Sequence, residues 1–445
     1  MNALDEMRDA ALAGDVARAV GTASLEARLR GLAAHGAAGA CTGGGVARQA
    51  LCAHELAARR WLVQPFARRP GYRVGIDAAA NVFVRRDGQD PTLSPAMTGS
   101  HIDTQPLGGW LDGAFGVAAG LEVFDALDRL GLRTRRPIDV AMWTNEEGSR
   151  FAPGLMGSVA FTAPQRLEAF LGVRDGDGLR FEAARDAAVD DLRAEALRQG
   201  WNWMDTPLAR PVHGYIEAHI EQGPVLEAEG LQVGCVSAIQ GVRWFRITVP
   251  GRSAHAGTTP LAARDDAQAK AVRMAHALLE HAARCGDDRL RLTIGRWECS
   301  PGSINTIAER VVFTVDARHP EAAALDAVRA LVDAALPAGG QIEVLQDKPT
   351  VRFDAALAGL ARAACAALRL SHREMLSGAF HDAMPLAGFC PSAMLFAPSR
   401  GGVSHHPDED TPIDDLAACT RALAWCLARL AGPLVSSTPP EASKD

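Results

Sequence analysis

Aromatic side chains are scarce in this chain. Phe, Trp and Tyr make up 5% of its 445 residues, and Tyr occurs only twice. That leaves too few rings for the stacking platforms that hold single-stranded nucleic acid. Excess basic charge is lacking as well. The formal net charge is −7, and the densest basic run, Arg133–Arg136, is closed at once by Pro137. An electrostatic footprint for a phosphate backbone is not expected. No apolar run approaches the ~20 residues needed to span a bilayer. The nine cysteines are odd in number, scattered from Cys41 to Cys426 and never spaced Cys-x-x-Cys. Such a set reads as buried thiols in a reducing compartment rather than a disulfide framework. The N-terminal segment carries Asp5, Glu6, Asp9 and Asp15 and no apolar stretch of a secretion signal. The expectation is a cytoplasmic protein that acts on small molecules, with neither nucleic acid nor membrane as a partner.

Several catalytic motifs are missing too. There is no Gly-x-Ser-x-Gly elbow, no P-loop, and no Gly-x-Gly-x-x-Gly after the first strand. His54-Glu55 opens like a zinc-protease helix, but Ala58 stands where the second histidine is needed.

What is present is a globular balance, with 48% hydrophobic and 22% charged residues. The length suggests two or three domains. Ser24 to Leu62 has helical periodicity interrupted by Gly43-Gly44-Gly45. Val74 to Arg85 reads as strand-turn-strand around Ala80-Asn81. Ala96 to Gly99 leads into His101 at a strand end, Phe115 to Leu130 is a helix, and Pro137 to Thr144 is an apolar strand. Strand-helix-strand with candidate ligands just past the strand ends predicts an open α/β sheet with its site at the carboxyl edge. Arg243 to Gln346 has a different rhythm. It reads as βαββαβ, the split ferredoxin-like unit, with a long helix over Leu261–Cys285. The predicted division is a catalytic domain over 1–240 and 351–445, interrupted by an inserted domain over 241–350. The joints fall near Gln240-Gly241 and Pro349-Thr350. Phe353 to Leu368 is helical, Ser392 to Phe396 is a strand, and the tail 436–445 frays.

The chemistry-bearing residues lie in four segments: SHIDTQPLGGWLDG, TNEEGSRF, EAHIEQG and GVSHHPDE. They bring His101, Asp112, Glu146, Glu147, His219 and His405. Each alone has an ordinary explanation, such as a strand-end histidine or an Asp-Gly turn. Together they supply two imidazole-plus-carboxylate sets, a carboxylate able to bridge them and one acid left over. That is the inventory of a two-metal hydrolase with its own general base. Asp103 is placed to orient the second ring nitrogen of His101. Glu146 and Glu147 are adjacent acids at a strand end, where neighbouring side chains diverge, so one can ligate while the other faces substrate. Of the pair His405-His406, His405 is the expected ligand.

Taken together, GSHIDTQPLGGWLDGAFGV, TNEEGSRFAPGLMGS, EAHIEQGPVLE and GRSAHAGTTP resemble the hydantoinase/carbamoylase branch of the dinuclear metallo-amidohydrolases. This branch includes N-carbamoyl-L-amino acid hydrolases, metal-dependent β-ureidopropionases and allantoate amidohydrolases. The resemblance runs from about Gly43 to Ile413. It implies an aminopeptidase-like catalytic domain with a mixed sheet flanked by helices, and an inserted domain that serves as lid and homodimer interface. It also implies two divalent ions, zinc or else manganese, cobalt or nickel. Asp112 would bridge them, His101 and His219 would complete one site, and Glu147 and His405 the other. Glu146 would be the general base, and His255 would stabilise the oxyanion. Gln222, Asn305, Arg318 and His381 would bind substrate. A histidine at 219, where peptidase relatives tend to have an acid, points to the ureido-cleaving branch. The implied reaction is hydrolysis of an N-carbamoyl (ureido) amino acid to the amino acid, carbon dioxide and ammonia. The alternatives are allantoate amidohydrolase, a dipeptidase or aminoacylase, and, outside enzymes, a metal-free binding relative. Two departures stand out. Phe380 replaces a small residue in Ser-Gly-Ala-Phe-His-Asp, and the segment before Leu25 has no counterpart in the family pattern.

Overall fold

In the computed structural model the described residues are 3–38 and 45–436. Cys41, Gly43 and Gly44 lie outside them, as does the tail from 437. The chain divides into two compact units. The first comprises Met1–Ser237, Phe353–Met375 and Phe380–Asp445, and the second Ala238–Arg352 and Leu376–Ala379.

The first unit is built on one mixed sheet. Its strands run in the order Tyr72–Ile76, Val82–Arg86, Ile138–Trp143, Ala96–His101, Gly214–Ile220, Ser392–Ala397 and Val233–Ile239, the last of which also pairs with Val351–Arg352 and His372–Ser377. The four from Ile138–Trp143 to Ser392–Ala397 are mutually parallel, Val82–Arg86 and Val233–Ile239 on either side run antiparallel to them, and the edge strand Tyr72–Ile76 is antiparallel to Val82–Arg86. Every residue of these four strands is buried. That is the burial of strands covered on both faces, and it explains why their sequences are continuously apolar or small rather than alternating. The helices Ala114–Arg129, Ala355–Leu368 and Ile413–Ala431 pack on the sheet. The N-terminal segment without a counterpart in the family pattern is helix Ala3–Arg18. It buries Ala13, Val16 and Ala17 in the common core and packs against Ile413–Ala431.

Two glycines let the helix Ala114–Arg129 close onto the sheet. Gly113 precedes it at φ +63°, and a Cβ there would lie 2.4 Å from the His101 ring. At Gly116 a Cβ would stand 2.3 Å from the Ala218 carbonyl oxygen and 2.8 Å from Ser100 Cβ. Any side chain at either position would push the helix start, and Asp112 with it, off the strand ends.

The second unit holds the strands Arg291–Ser300, Arg310–His319, Gly241–Pro250 and Gln341–Lys348, in that spatial order and all antiparallel. With the helices Ala267–Arg284 and Ala322–Ala335 this is the expected βαββαβ unit. Its core is formed by Phe245, Ile247, Val249, Phe313, Val315 and Leu278, among others. The first helix is shorter at its N-terminus than the periodicity predicts. Asp266 caps it by accepting from the Ala269 N–H at 3.1 Å, so it starts at Ala267. No helix among the described residues is long and apolar enough to cross a membrane.

The His54-Glu55 pair has a structural use. Glu55 is fully buried and binds Arg59 through Nε at 3.0 Å and Nη2 at 2.7 Å, and it accepts the Leu51 N–H at 2.6 Å. Arg59 also donates to the Ala80 carbonyl at 2.6 Å and to Thr144 Oγ1 at 3.2 Å, just ahead of Glu146. Arg59→Ala strands the Glu55 charge, and removing one partner of a buried pair costs about 3–5 kcal/mol. A denaturant titration of the variant should show a loss of that size, against less than about 1 kcal/mol for an exposed pair such as Arg30–Glu26.

Candidate metal centre

The parallel strands end on one edge, and that edge gathers the predicted ligands. His101 is the last residue of its strand, and His219 is the penultimate residue of Gly214–Ile220, which pairs beside it. Glu146 and Glu147 follow the Ile138–Trp143 strand, and His405 lies on the loop after Ser392–Ala397, at φ +55°. The two glutamates sit on a bend rather than on the strand itself. Asn145 turns the chain there at φ +55°. Their side chains still diverge. Glu146 Oε2 comes 3.5 Å from His101 Nε2, and Glu147 Oε2 comes 3.6 Å from His405 Nε2.

Asp112 lies between the histidines. Its Oδ1 is 3.2 Å from His219 Nε2 and 3.8 Å from His101 Nε2, and its Oδ2 is 3.1 Å from His405 Nε2. Two groups of three therefore share this aspartate: His101–Asp112–His219 and Asp112–Glu147–His405. The ligand atoms within each lie inside 4.8 Å of one another. The ring orientations suit ligation. His101 Nδ1 meets the Asp103 carbonyl oxygen at 2.9 Å, and His219 Nδ1 meets that of Ile220 at 2.9 Å. With Nδ1–H donating to these carbonyls, both Nε2 atoms face Asp112 and can ligate once unprotonated. A third group, Glu217–His219–His381, is also close enough. There, however, Glu217 already accepts from Ser100 Oγ at 2.7 Å, Tyr215 OH at 3.1 Å and the Ala383 N–H at 2.8 Å.

The electrostatics of the cluster follow from its crowding. Burial, then the charges of Asp382, Glu147, Asp103 and Asp112, drive the Glu146 carboxyl well above its ordinary range. Burial and Asp112 push Glu147 up to about 8. Burial depresses His101 to about 4. Burial also opposes charge on His219, but its bond to Asp112 carries it to about 9, and the same bond raises His405 to about 9. Acids this crowded cannot all ionise unless cations offset them. The donor set, three imidazoles with Asp112 and Glu147, fits divalent metal ions.

The other predicted residues divide between the two units. Asp103 orients His101 mainly through its backbone oxygen, since its carboxylate is 3.6 Å from the ring. That carboxylate instead accepts the N–H groups of Glu146 at 3.3 Å and Glu147 at 3.2 Å. His381 is buried with its ring 4.4 Å from that of His219. Gln222 donates to Asp112 Oδ2 and to Ser404 Oγ, both at 3.1 Å. His406 turns away to an exposed pairing with Asp408. Phe380 is half-buried beside His381 in sequence. In the second unit, His255 and Asn305 come together on the two-stranded ladder Ala254–His255 with Thr306–Ile307, where the Asn305 carbonyl accepts the Ala256 N–H. His255 Nδ1 accepts the N–H groups of Gly257 at 3.1 Å and Thr258 at 3.2 Å. The ring proton is therefore on Nε2, a donor on an exposed side chain.

Two supporting residues escaped the sequence reading. Gln105 donates to Glu147 Oε2 at 2.5 Å. Glu409, buried to 2% exposure, accepts the N–H groups of Leu111 at 2.9 Å and Asp112 at 3.0 Å through Oε1, and Ser404 Oγ at 2.8 Å through Oε2. It ties the loop carrying Asp112 to the loop carrying His405. The only sequence signal was its place in Ser-His-His-Pro-Asp-Glu, where an acid beside exposed Asp408 reads as solvated.

Comparison with known proteins agrees with this geometry. A sheet-edge cluster of this kind defines a metallohydrolase, and a model described as peptidase family M20/M25/M40 matches residues 97–429. The chain belongs to that family, which is metal-dependent. It is 38% identical over 374 residues to an N-carbamoyl-L-amino-acid amidohydrolase of Rhizobium meliloti, covering 82% of this chain and 87% of that protein. It is 35% identical over 373 residues to the allantoate amidohydrolase of Escherichia coli, covering 81% and 87%. The crystal structure of a hydantoinase/carbamoylase family amidase from Burkholderia ambifaria has a TM-score of 0.82 at 38% identity, covering 93% of this chain and 98% of that one. The resemblance read from the motifs, the α/β fold class and the class of metal-dependent C–N hydrolase are all borne out.

Glu409→Ala frees three hydrogen-bond donors and loosens both ligand loops. Losing such a support typically costs about 10–100-fold in metal affinity. Metal titration by calorimetry should show that loss; an unchanged affinity would remove Glu409 from a supporting role.

Proposed function

We propose that this chain hydrolyses the linear C–N bond of an N-carbamoyl (ureido) amino acid, releasing the amino acid, carbon dioxide and ammonia. The observation that carries the reading is the pair of donor groups sharing Asp112, with Glu146 beside them and outside both. Two divalent ions, zinc or one of manganese, cobalt and nickel, would be held by His101, Asp112, His219, Glu147 and His405, and would supply the Lewis acidity that makes water a nucleophile at neutral pH. Glu146 takes the proton of the attacking water and delivers it to the leaving nitrogen. His255, with its proton on Nε2, donates to the developing oxyanion, a contribution of about 3 kcal/mol for a well-placed donor. Asn305 and Gln222 offer donors and acceptors to the ureido group, His381 lines the pocket, and Arg318 takes the substrate carboxylate. Gln222 would exchange its bond to Asp112 for one to substrate.

Substrate choice leans on the relatives' names and on His219, a neutral donor where an acid would add charge. The allantoate amidohydrolase relative supports allantoate as a second reading, since it too offers a carboxylate and ureido groups. A homodimer joined through the second unit belongs to the same proposal. It is supported by Leu261 and Ile304, apolar side chains on that unit at 82% and 106% exposure. So does a reducing, cytoplasmic setting, supported by the buried thiols of Cys235 and Cys365, unbridged with sulfurs 3.8 Å apart.

The first test is an ammonia-release screen over N-carbamoyl amino acids, N-carbamoyl-β-alanine, allantoate and dipeptides, with zinc and with manganese. Cleavage of dipeptides alone would overturn the ureido reading. The second is Glu146→Gln, which should keep its metal while kcat falls by about 10²–10⁴. Turnover near that of the unaltered enzyme would take Glu146 out of the base role. Removing metal with a chelator should abolish activity, and divalent ion should restore it.

A further inference from the structure

We infer that Asp316 is a positioning residue for Arg318, holding its guanidinium ready for a carboxylate. The inference rests on the reading of Arg318 as the carboxylate clamp. Asp316 and Arg318 are two apart on the strand Arg310–His319, so their side chains share one face of the second unit's sheet. Arg318 Nε lies 3.1 Å from both Asp316 oxygens, and Nη2 lies 2.8 Å from Oδ2. On its other side Nη1 donates to the Gly378 carbonyl at 2.7 Å. One forked edge of the guanidinium is therefore taken by the aspartate, and a backbone carbonyl from a separate segment fixes the plane.

This arrangement leaves one N–H on Nη1 and one on Nη2 without an acceptor among the described residues. Nη1 and Nη2 together make the end-on edge of the guanidinium, an edge that suits a carboxylate. A further unused donor lies on the same face. Trp244 pairs directly with Asp316 across the ladder, and its indole N–H is buried without a partner among the described residues. Unused donors grouped on one face call for a ligand that brings acceptors.

A simple surface ion pair is the competing explanation, since both side chains are about one-third exposed and such pairs contribute little to stability. The two explanations differ in sign. Asp316 is an anion beside the place where another anion would bind. If it merely competed for Arg318, removing it would strengthen carboxylate binding. If it pre-orients a long, flexible side chain, removing it leaves that ordering to be paid on binding, and affinity falls.

The experiment compares an N-carbamoyl amino acid with its primary carboxamide, which keeps the ureido group and lacks the carboxylate. For Asp316→Ala, KM for the carboxylate substrate should rise roughly tenfold with kcat within about twofold, and the carboxamide should be unaffected. Arg318→Ala should raise the same KM further, and adding Asp316→Ala to it should change nothing more, the signature of one residue acting through another. An unchanged or lower KM for Asp316→Ala overturns the inference, as does an equal loss on both substrates, which marks a structural role. If Arg318→Ala treats the two substrates alike, the clamp reading falls and the inference with it. If Arg318→Ala discriminates and Asp316→Ala does not, only the inference falls.

Discussion

The structure depends on one aspartate that reaches histidines from two directions. Asp112 Oδ1 faces His219 and Oδ2 faces His405. Two chain segments almost two hundred residues apart thereby meet on a single carboxylate. A free loop would not hold that geometry. It is held because Gly113 and Gly116 let the following helix press against the strands carrying Ser100 and Ala218, and because Glu409 takes the backbone N–H of Asp112 itself. Backbone packing sets the loop, the loop sets the carboxylate, and the carboxylate sets the spacing of the two donor groups.

Much of this was legible in the sequence because the relevant signals are local. Strand ends are marked where an apolar run gives way to His101 or to Glu146-Glu147, and the parallel topology follows from fully buried strands alternating with helices. The ferredoxin-like unit was visible for the same reason, since its strand and helix periods change cleanly. What was not legible depended on contacts between distant segments. Glu409 is indistinguishable from a solvated loop acid until Leu111 and Asp112 are seen to donate to it. Asp103 was expected to act through its side chain on His101. The ring instead takes the nearer backbone oxygen at 2.9 Å, which frees the carboxylate for the N–H groups of Glu146 and Glu147. Sequence spacing suggested that the two were neighbours and could not say which oxygen would win. The start of the helix expected at Leu261 was misplaced because hydrophobic period carries no information about Asp266 as a cap.

The acids of the centre fall into two kinds. Glu146 and Glu147 sit among other acids that push both above the ordinary carboxylate range, and cations would relieve them, whereas His219 and His405 hold Asp112 well below that range. Asp103, Glu217 and Glu409 are equally buried but accept hydrogen bonds from backbone N–H groups and hydroxyls. A carboxylate with several such donors is satisfied without a metal. Each of these three borders a member of the first kind or a histidine that does. Asp103 holds the backbone at Glu146 and Glu147, and Glu409 does so at Asp112. Glu217 binds Ser100 beside His101 and the N–H of Ala383 close to His381.

That division bears on which substitutions a site of this type can absorb. An acid that faces the cations can in principle be exchanged for another donor, with a change in net charge as the main consequence. A histidine in place of an acid, as at His219, would lower the charge that bound ions had to offset. An acid that holds backbone N–H groups has no such freedom, because an amide side chain brings an unwanted donor and a shorter one leaves buried N–H groups unpaired, at about 1–3 kcal/mol each. The same reasoning applies to Asp316 in the second unit. It touches no proposed reacting atom, yet it decides which edge of the Arg318 guanidinium remains open. In both units a carboxylate outside the proposed chemistry positions a group proposed to take part in it.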